Sequence, residues 1–452
     1  MTTRRETGHL LRRAGFGPTP SSYDEFASLS WSDAVDRLVD YESTPDTLPT
    51  DPTPTQMSGQ GALVVGVQDA LFWWMDRMLR TERPLEERMT LFWHDHFATA
   101  ISKAPPGFMA GQNKLLREMA MGNFGDLLRA IATDPAMMLY LDNARNVAGS
   151  PNENYARELL ELHTLGQGNY TETDIKEIAR ALTGWVVRGR GEVAADDIVE
   201  FASFRHDDGL KTIFGQTGNY DLDDVIDLVL QQPALPKFIA GKIACWFIGD
   251  EPSTTLVDSL ADQFVETGFE VRPLARSILN STEFQSDDAY RARVKAPVEF
   301  AVGAARGLGA QSPPRFLVRM SERMGQMILN PPSPAGWPSG DVWVNGNTAL
   351  LRSNFAMVAA SMPLHDNRDG VLVGFDPSPL LDATGAYDAV TVLKTFTDIL
   401  YDGEIDPVDE QILLDYLGDL NGDSPGAPFS TLEAKVRGLV YLILSSPVYA
   451  LS

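Results

Sequence analysis

Leu71-Phe-Trp-Trp74-Met75-Asp-Arg-Met78 sets four apolar side chains at i, i+3, i+4 and i+7, the spacing of one face of an α-helix. Pro84-Leu-Glu86-Glu87-Arg-Met89-Thr-Leu-Phe92-Trp-His94-Asp-His96 opens on a proline suited to a first helical turn. Glu86 and Glu87 follow where the positive end of the helix dipole favours carboxylates, and Leu85, Met89, Phe92 and His96 make the stripe. The pattern reads as helical from Gly61 to Met138 and again over 151–165. Thr171 with Asp174 predicts a carboxylate variant of the capping box, with Ile175, Ile178, Ala179 and Leu182 as the buried stripe and Gly184 as the stop.

Outward from there, residues 5–41 read as short helices around the glycine turn Arg12-Arg13-Ala-Gly15-Phe-Gly17-Pro18. Ser43 to Pro54 reads as an exposed linker or loop. Trp185-Val-Val and Ile198-Val-Glu-Phe-Ala are β-like and flank Gly189 and Gly191, which predicts a small hairpin. Helical spacing resumes over 222–308 and, after a Pro/Gly/Trp-rich loop from Asn330 to Asn347, runs on to the C-terminus, with a polar break at 421–428. The expected fold is therefore mainly α: a large multi-helix fold, orthogonal or bundle-like, with a small β-hairpin insertion near 185–204. Its parts are N-terminal helices and a Pro-rich linker (1–60), a helical core carrying His/Glu clusters (61–184), hairpin and loop (185–220), and a C-terminal helical region (221–452) that forms one compact unit with 61–184.

The chain has 452 residues, 44% of them apolar, enough for a sizeable core. Its 37 Lys+Arg against 62 Asp+Glu give a net charge of −25, a field that repels nucleic acid and keeps a protein soluble. Cys245 is the only cysteine, so an internal disulfide and cysteine-based zinc or iron–sulfur sites are excluded, and its apolar neighbours predict an inert core thiol. No apolar run is long enough for a membrane span. Arg4-Arg5 and Arg12-Arg13 have no apolar segment after them, so no signal peptide is expected, which places the chain in the cytoplasm or exports it with a partner. The phosphate-binding glycine loop, the dinucleotide fingerprint, the Gly-x-Ser-x-Gly elbow and His-Glu-x-x-His are all missing, which removes support for those chemistries.

Four of the six histidines sit in three polar clusters: Phe92-Trp-His94-Asp-His96-Phe97, Asn152-Glu-Asn-Tyr-Ala-Arg157-Glu158-Leu-Leu-Glu161-Leu-His163, and Arg205-His206-Asp207-Asp-Gly-Leu-Lys211-Thr212. At about 100° per residue, Asn154, Glu158 and Glu161 share a helix face while His163 lies nearly opposite, so one ion cannot take all three ligands unless the helix breaks early. Likewise His94 and His96 stand about 200° apart. One reading is an inter-helix site for a transition metal (Fe, Mn or Zn) held by His94, His96, Glu158, Glu161 and His163, with His206 and Asp207 as further candidates. That reading makes the chain a metal-dependent enzyme, hydrolytic or redox. The other is a buried polar network, with His96 in the core, Arg157 paired to Glu153 or Glu161 and Asn152 as a cap, in a non-enzymatic partner-binding or scaffold protein. In the third cluster Lys211, Thr212 and backbone N–H groups could hold an anion, against the simpler reading of an exposed turn. Trp337 and Trp343 either cover a site or anchor their loop on the core.

These segments, with Arg12-Arg-Ala-Gly-Phe-Gly17, Asn152 to Gly166, Ala179-Arg-Ala-Leu-Thr-Gly-Trp185, Arg293-Val-Lys-Ala-Pro-Val-Glu-Phe300 and Asn330-Pro-Pro-Ser-Pro-Ala-Gly-Trp337, run in order along nearly the whole chain. Together they resemble a large bacterial family known as domain of unknown function 1800. The resemblance implies no established activity. It implies a neighbourhood with a second uncharacterised family, domain of unknown function 1501, whose members look like exported, alkaline-phosphatase-like proteins and are the expected partner. Many members of the resembled family carry export signals, from which this sequence departs.

Overall fold

The computed structural model describes residues 1–59, 61, 63–189, 198–249, 251–310, 313–361, 365–366, 372–418, 420 and 431–452. Helices dominate these residues, and the strands form only two-stranded antiparallel pairs. The first two quoted runs become the helices Val67–Arg80 and Pro84–His96. Thr171 and Asp174 close the capping box on Glu172–Ala181, and Ile175, Ile178, Ala179 and Leu182 are fully buried. The expected hairpin forms, with Trp185 opposite Phe201 and Val187 opposite Val199; the glycine-bearing stretch 190–197 and the polar break at 421–428 lie outside the described residues.

Strands also appear beyond 185–204. Lys211–Ile213 pairs with Gln216–Gly218, and short pairs form at 56–57 with 63–64 and at 365–366 with 372–373. The 211–218 hairpin turns on Phe214 and Gly215, both with positive φ (47° and 77°). That is the backbone a two-residue hairpin turn needs, but Phe-Gly lacks the usual Asn-Gly or Asp-Gly signature, so the sequence hid it. A second departure is the 151–165 segment. It is α-helical only over Glu153–Glu158 and then widens into a π-helical turn, Leu159–Thr164, where the Leu165 N–H reaches back five residues to the Leu160 carbonyl at 2.8 Å.

The helices bury two apolar cores. One gathers Leu85, Met89, Phe92 and Trp93 with the 124–132, 172–181 and 234–247 helices. The other gathers Trp74, Met75 and Leu91 with the helices Pro297–Gly307, Gly346–Ser361 and Thr431–Ser445. Helix Pro84–His96 feeds both cores, and Trp246 packs against both. The Ser43–Pro54 loop is strapped to Val67–Arg80: the Trp73 indole and the Arg77 guanidinium donate to the Pro49 carbonyl at 2.9 and 2.8 Å. Among the described residues no helix is long and apolar enough to cross a membrane.

Candidate functional site

Where the two cores meet, a cleft of about 400 Å³ opens between helix Pro84–His96, helix Ala234–Phe247, the 293–299 segment and the 335–343 loop. Helical periodicity builds two of its walls. Phe238, Gly241, Lys242 and Cys245 fall at i, i+3, i+4 and i+7, and Leu91, Phe92, Asp95 and His96 occupy one face of their helix. Cys245 is thus a half-buried residue of the cleft wall, not the core thiol its apolar neighbours predict. Apolar residues flank the cysteine in sequence, but the helix turns its own face outward to the cleft.

Three titratable groups converge there. Asp95 accepts the Trp337 backbone N–H at 2.7 Å, and burial pushes its carboxyl up to about 6 against the opposing pull of that bond and of Lys242. Gly336 makes this clamp fit: its φ is +84°, and a Cβ there would collide with the Asp95 carboxylate. The His96 Nε2 stands 3.0 Å from the His163 carbonyl, which can only accept, so Nε2 carries the proton and Nδ1 is left as an acceptor. The Lys242 ammonium donates to that nitrogen at 3.4 Å and to the Leu162 carbonyl at 3.4 Å. Burial, then the charge of Lys242, holds His96 neutral, well below the ordinary imidazole range, and burial lowers Lys242 as well. The π-helical turn presents the Leu162 and His163 carbonyls to this pair.

Arg293 and Glu299 line the cleft, and Arg88 reaches Glu299 from outside that lining. Arg88 and Arg293 both donate to one oxygen of Glu299, whose other oxygen accepts the Ala296 N–H at 3.1 Å. Both guanidinium groups lie over the Trp246 ring, at 4.2 and 5.3 Å from its centroid. This pairing drives Glu299 down to about 2 despite its burial.

The seven residues expected as metal ligands fall into separate environments. His96 and His163 are brought together, with ring centroids 5.9 Å apart. His94 lies edge-on to Trp74 at 5.2 Å and 5.5 Å from Trp337. Among the described residues, both ring nitrogens of His94 and both of His163 are buried with no hydrogen-bond partner, and burial lowers each imidazole to about 3. Glu161 accepts from Gln167 at 2.6 Å and Tyr170 at 2.9 Å, away from buried His163, so the opposed faces persist through the wider turn. Glu158 is half-buried beside it. Arg157 reaches Glu153 at 3.5 Å but pairs more closely with Glu172, and Asn152 caps its helix. The His206 Nδ1 donates to the Thr183 carbonyl at 2.9 Å, and Asp207 is forked by Arg180, whose hydrogen bonds hold it down to about 2. Lys211 is spent on the Tyr220 carbonyl at 2.8 Å and Asn219 at 3.2 Å. Among the described residues no three His, Cys, Asp or Glu side chains converge closely enough to hold a metal ion. Trp337 and Trp343 do both things considered for them: they are buried and they wall the cleft.

Sequence reasoning passed over Asp95, Lys242, Arg293 and Glu299. The available signals were a carboxylate between two histidines and a lone lysine inside an apolar helix.

A mainly α-helical protein built on two cores, with a half-buried acid, a buried imidazole and a half-buried amine facing one aromatic cleft between them, is the class that fold and site define. The chain belongs to the family described as "Protein of unknown function (DUF1800)", whose model matches residues 9–451. No curated protein and no solved structure matches it.

Proposed function

We propose that this protein is an enzyme that moves protons on a small ligand held in the cleft. One observation carries the reading: Asp95, His96 and Lys242 face the same 400 Å³ space, a size and composition typical of small-molecule sites. Asp95, raised to about 6, is mostly ionised at neutral pH yet close enough to it to act as a general base. Lys242, hydrogen-bonded to the neutral His96, is the proton donor or the stabiliser of developing negative charge. The test follows depletion of small molecules from a metabolite mixture by mass spectrometry, with wild type, Asp95→Asn and Lys242→Met compared at equal thermal stability. Depletion by wild type that both variants lose supports the reading. Depletion that both retain refutes it, and no depletion by wild type favours a partner-binding or scaffold role.

A second reading, metal-dependent chemistry at His96 and His163, draws on the orphaned ring nitrogens of His163, since buried polar groups rarely lack a partner. Elemental analysis of purified protein decides it: a stoichiometric transition metal, lost in His163→Gln, supports it, and metal-free protein that still turns over ligand refutes it.

A further inference from the structure

Buried charge around the cleft is unbalanced. Arg13, Arg88 and Arg293 gather about a single carboxylate, Glu299, within electrostatic reach of one another. Arg13 is fully buried and donates to the Ala289 carbonyl, and among the described residues no carboxylate is hydrogen-bonded to it. Among the described residues, two N–H-bearing nitrogens of Arg13, two of Arg88 and the Nε of Arg293 are buried without a hydrogen-bond partner. Lys242, on the helix that carries Trp246, adds a fourth cation, with Asp95 as its nearest carboxylate. Lys242 and Arg293 line the cleft together with Asp95 and Glu299, while Arg13 and Arg88 stand outside the lining and add positive charge beside it, inside a protein whose overall charge is −25. Unpaired buried charge costs several kcal/mol per ion, so a stable site of this kind is completed by a counter-charge. The surrounding surface is aromatic, with Phe92, Trp246, Trp337 and Trp343 as walls.

We infer that the cleft takes a small aromatic carboxylate, its carboxylate set against Arg293 and Lys242 and its ring body among the tryptophans. The inference rests on the cleft being the ligand site proposed above. A monoanion fits better than a phosphate dianion because Asp95 and Glu299 also line the space and repel excess negative charge. Arg293 spends one terminal nitrogen on the Trp246 carbonyl at 2.8 Å and the other on Glu299, so it offers the ligand its charge and its Nε rather than a two-point fork, and lysine supplies a compact second charge. A ligand ring stacked on these walls gains the apolar burial that a free inorganic anion lacks.

The full-length protein is titrated with 1-naphthoate, 1-naphthamide and 1-naphthyl phosphate, followed by tryptophan fluorescence and calorimetry. Naphthoate is expected to bind roughly tenfold or more tighter than the neutral amide, the size of one charge-assisted hydrogen bond. It is expected to bind tighter than the phosphate as well. The preference over the amide should collapse in Lys242→Met and Arg293→Met. If Arg293→Met fails to fold because Glu299 loses a partner, Lys242→Met alone decides. Equal binding of acid and amide, tighter binding of the phosphate, no binding of any probe, or a preference kept in the folded variants overturns the inference. Loss of turnover in Asp95→Asn without any preference for the carboxylate sinks this inference alone. A carboxylate preference with turnover indifferent to Asp95→Asn sinks the acid–base reading alone.

Discussion

Replacing His94 by phenylalanine should flatten part of the protein's acid sensitivity. His94 is fully buried, its imidazole has no hydrogen-bond partner, and burial alone lowers its pKa from 6.5 to about 3. The folded protein therefore keeps it neutral, while the unfolded chain takes up a proton as pH falls through 6.5. Stability from this group is complete above pH 6.5 and is lost progressively down to about 3. Each pH unit is worth about 1.4 kcal/mol, so wild type should lose about 2 kcal/mol at pH 5 from His94 alone. At pH 7.5 the substitution should be nearly neutral. It removes an unsatisfied buried donor, a gain of about 1–3 kcal/mol, and it adds ring volume at a similar cost. The Trp74 and Trp337 contacts keep an aromatic partner. Urea denaturation at pH 7.5, 6 and 5, read by fluorescence and circular dichroism together, measures the difference. Parallel stability curves for wild type and variant would refute the claim that this imidazole is buried and neutral. A large loss at every pH would mean that the ring nitrogens hold a group that keeps the fold together.

Two further substitutions probe how the cleft is framed. Glu87→Gln should cost about 3–5 kcal/mol in a thermal melt, because it strips the charge that binds two buried arginines; Glu87 accepts from Arg77 at 2.8 Å, Arg117 at 2.6 and 3.0 Å and Trp74 at 3.1 Å, and an unchanged melt would remove this cluster from the account of stability. Gly336→Ala should cost about 1–3 kcal/mol and push Trp337 off Asp95, since the new Cβ meets the Asp95 carbonyl at 2.7 Å in a positive-φ conformation; a fluorescence spectrum and naphthoate affinity identical to wild type would show that the loop does not need this clamp.

Helix content was legible because it depends on local spacing. The stripe Leu71, Trp74, Met75 and Met78, the proline start at Pro84 and the Thr171–Asp174 box each act within a few residues, and each formed as read. The hairpin at 211–218 was not legible, because Phe214 takes a positive φ that its residue type does not announce. The candidate site was half legible. The clusters marked the right helix, 84–96, yet the side chains with the histidine's cleft are Lys242, 146 positions away, and Trp337, 242 positions from Asp95. Glu158, Glu161, His206 and Asp207 looked equivalent to His94 and His96 as sequence, but local partners such as Tyr170 and Arg180 absorb Glu161 and Asp207.

The sequence by itself determined a mainly helical chain, where helices such as those at Pro84 and Glu172 begin, and that a membership-defining set of polar motifs interrupts its apolar stripes. Only the tertiary structure decided which of those polar groups share a space. A side chain's burial, its proton affinity and its charge partners depend on what the fold brings against it from far along the chain, and that information is not local. Two cores meeting at Trp246 turn Asp95, His96, Lys242 and Arg293 from scattered residues into one cleft.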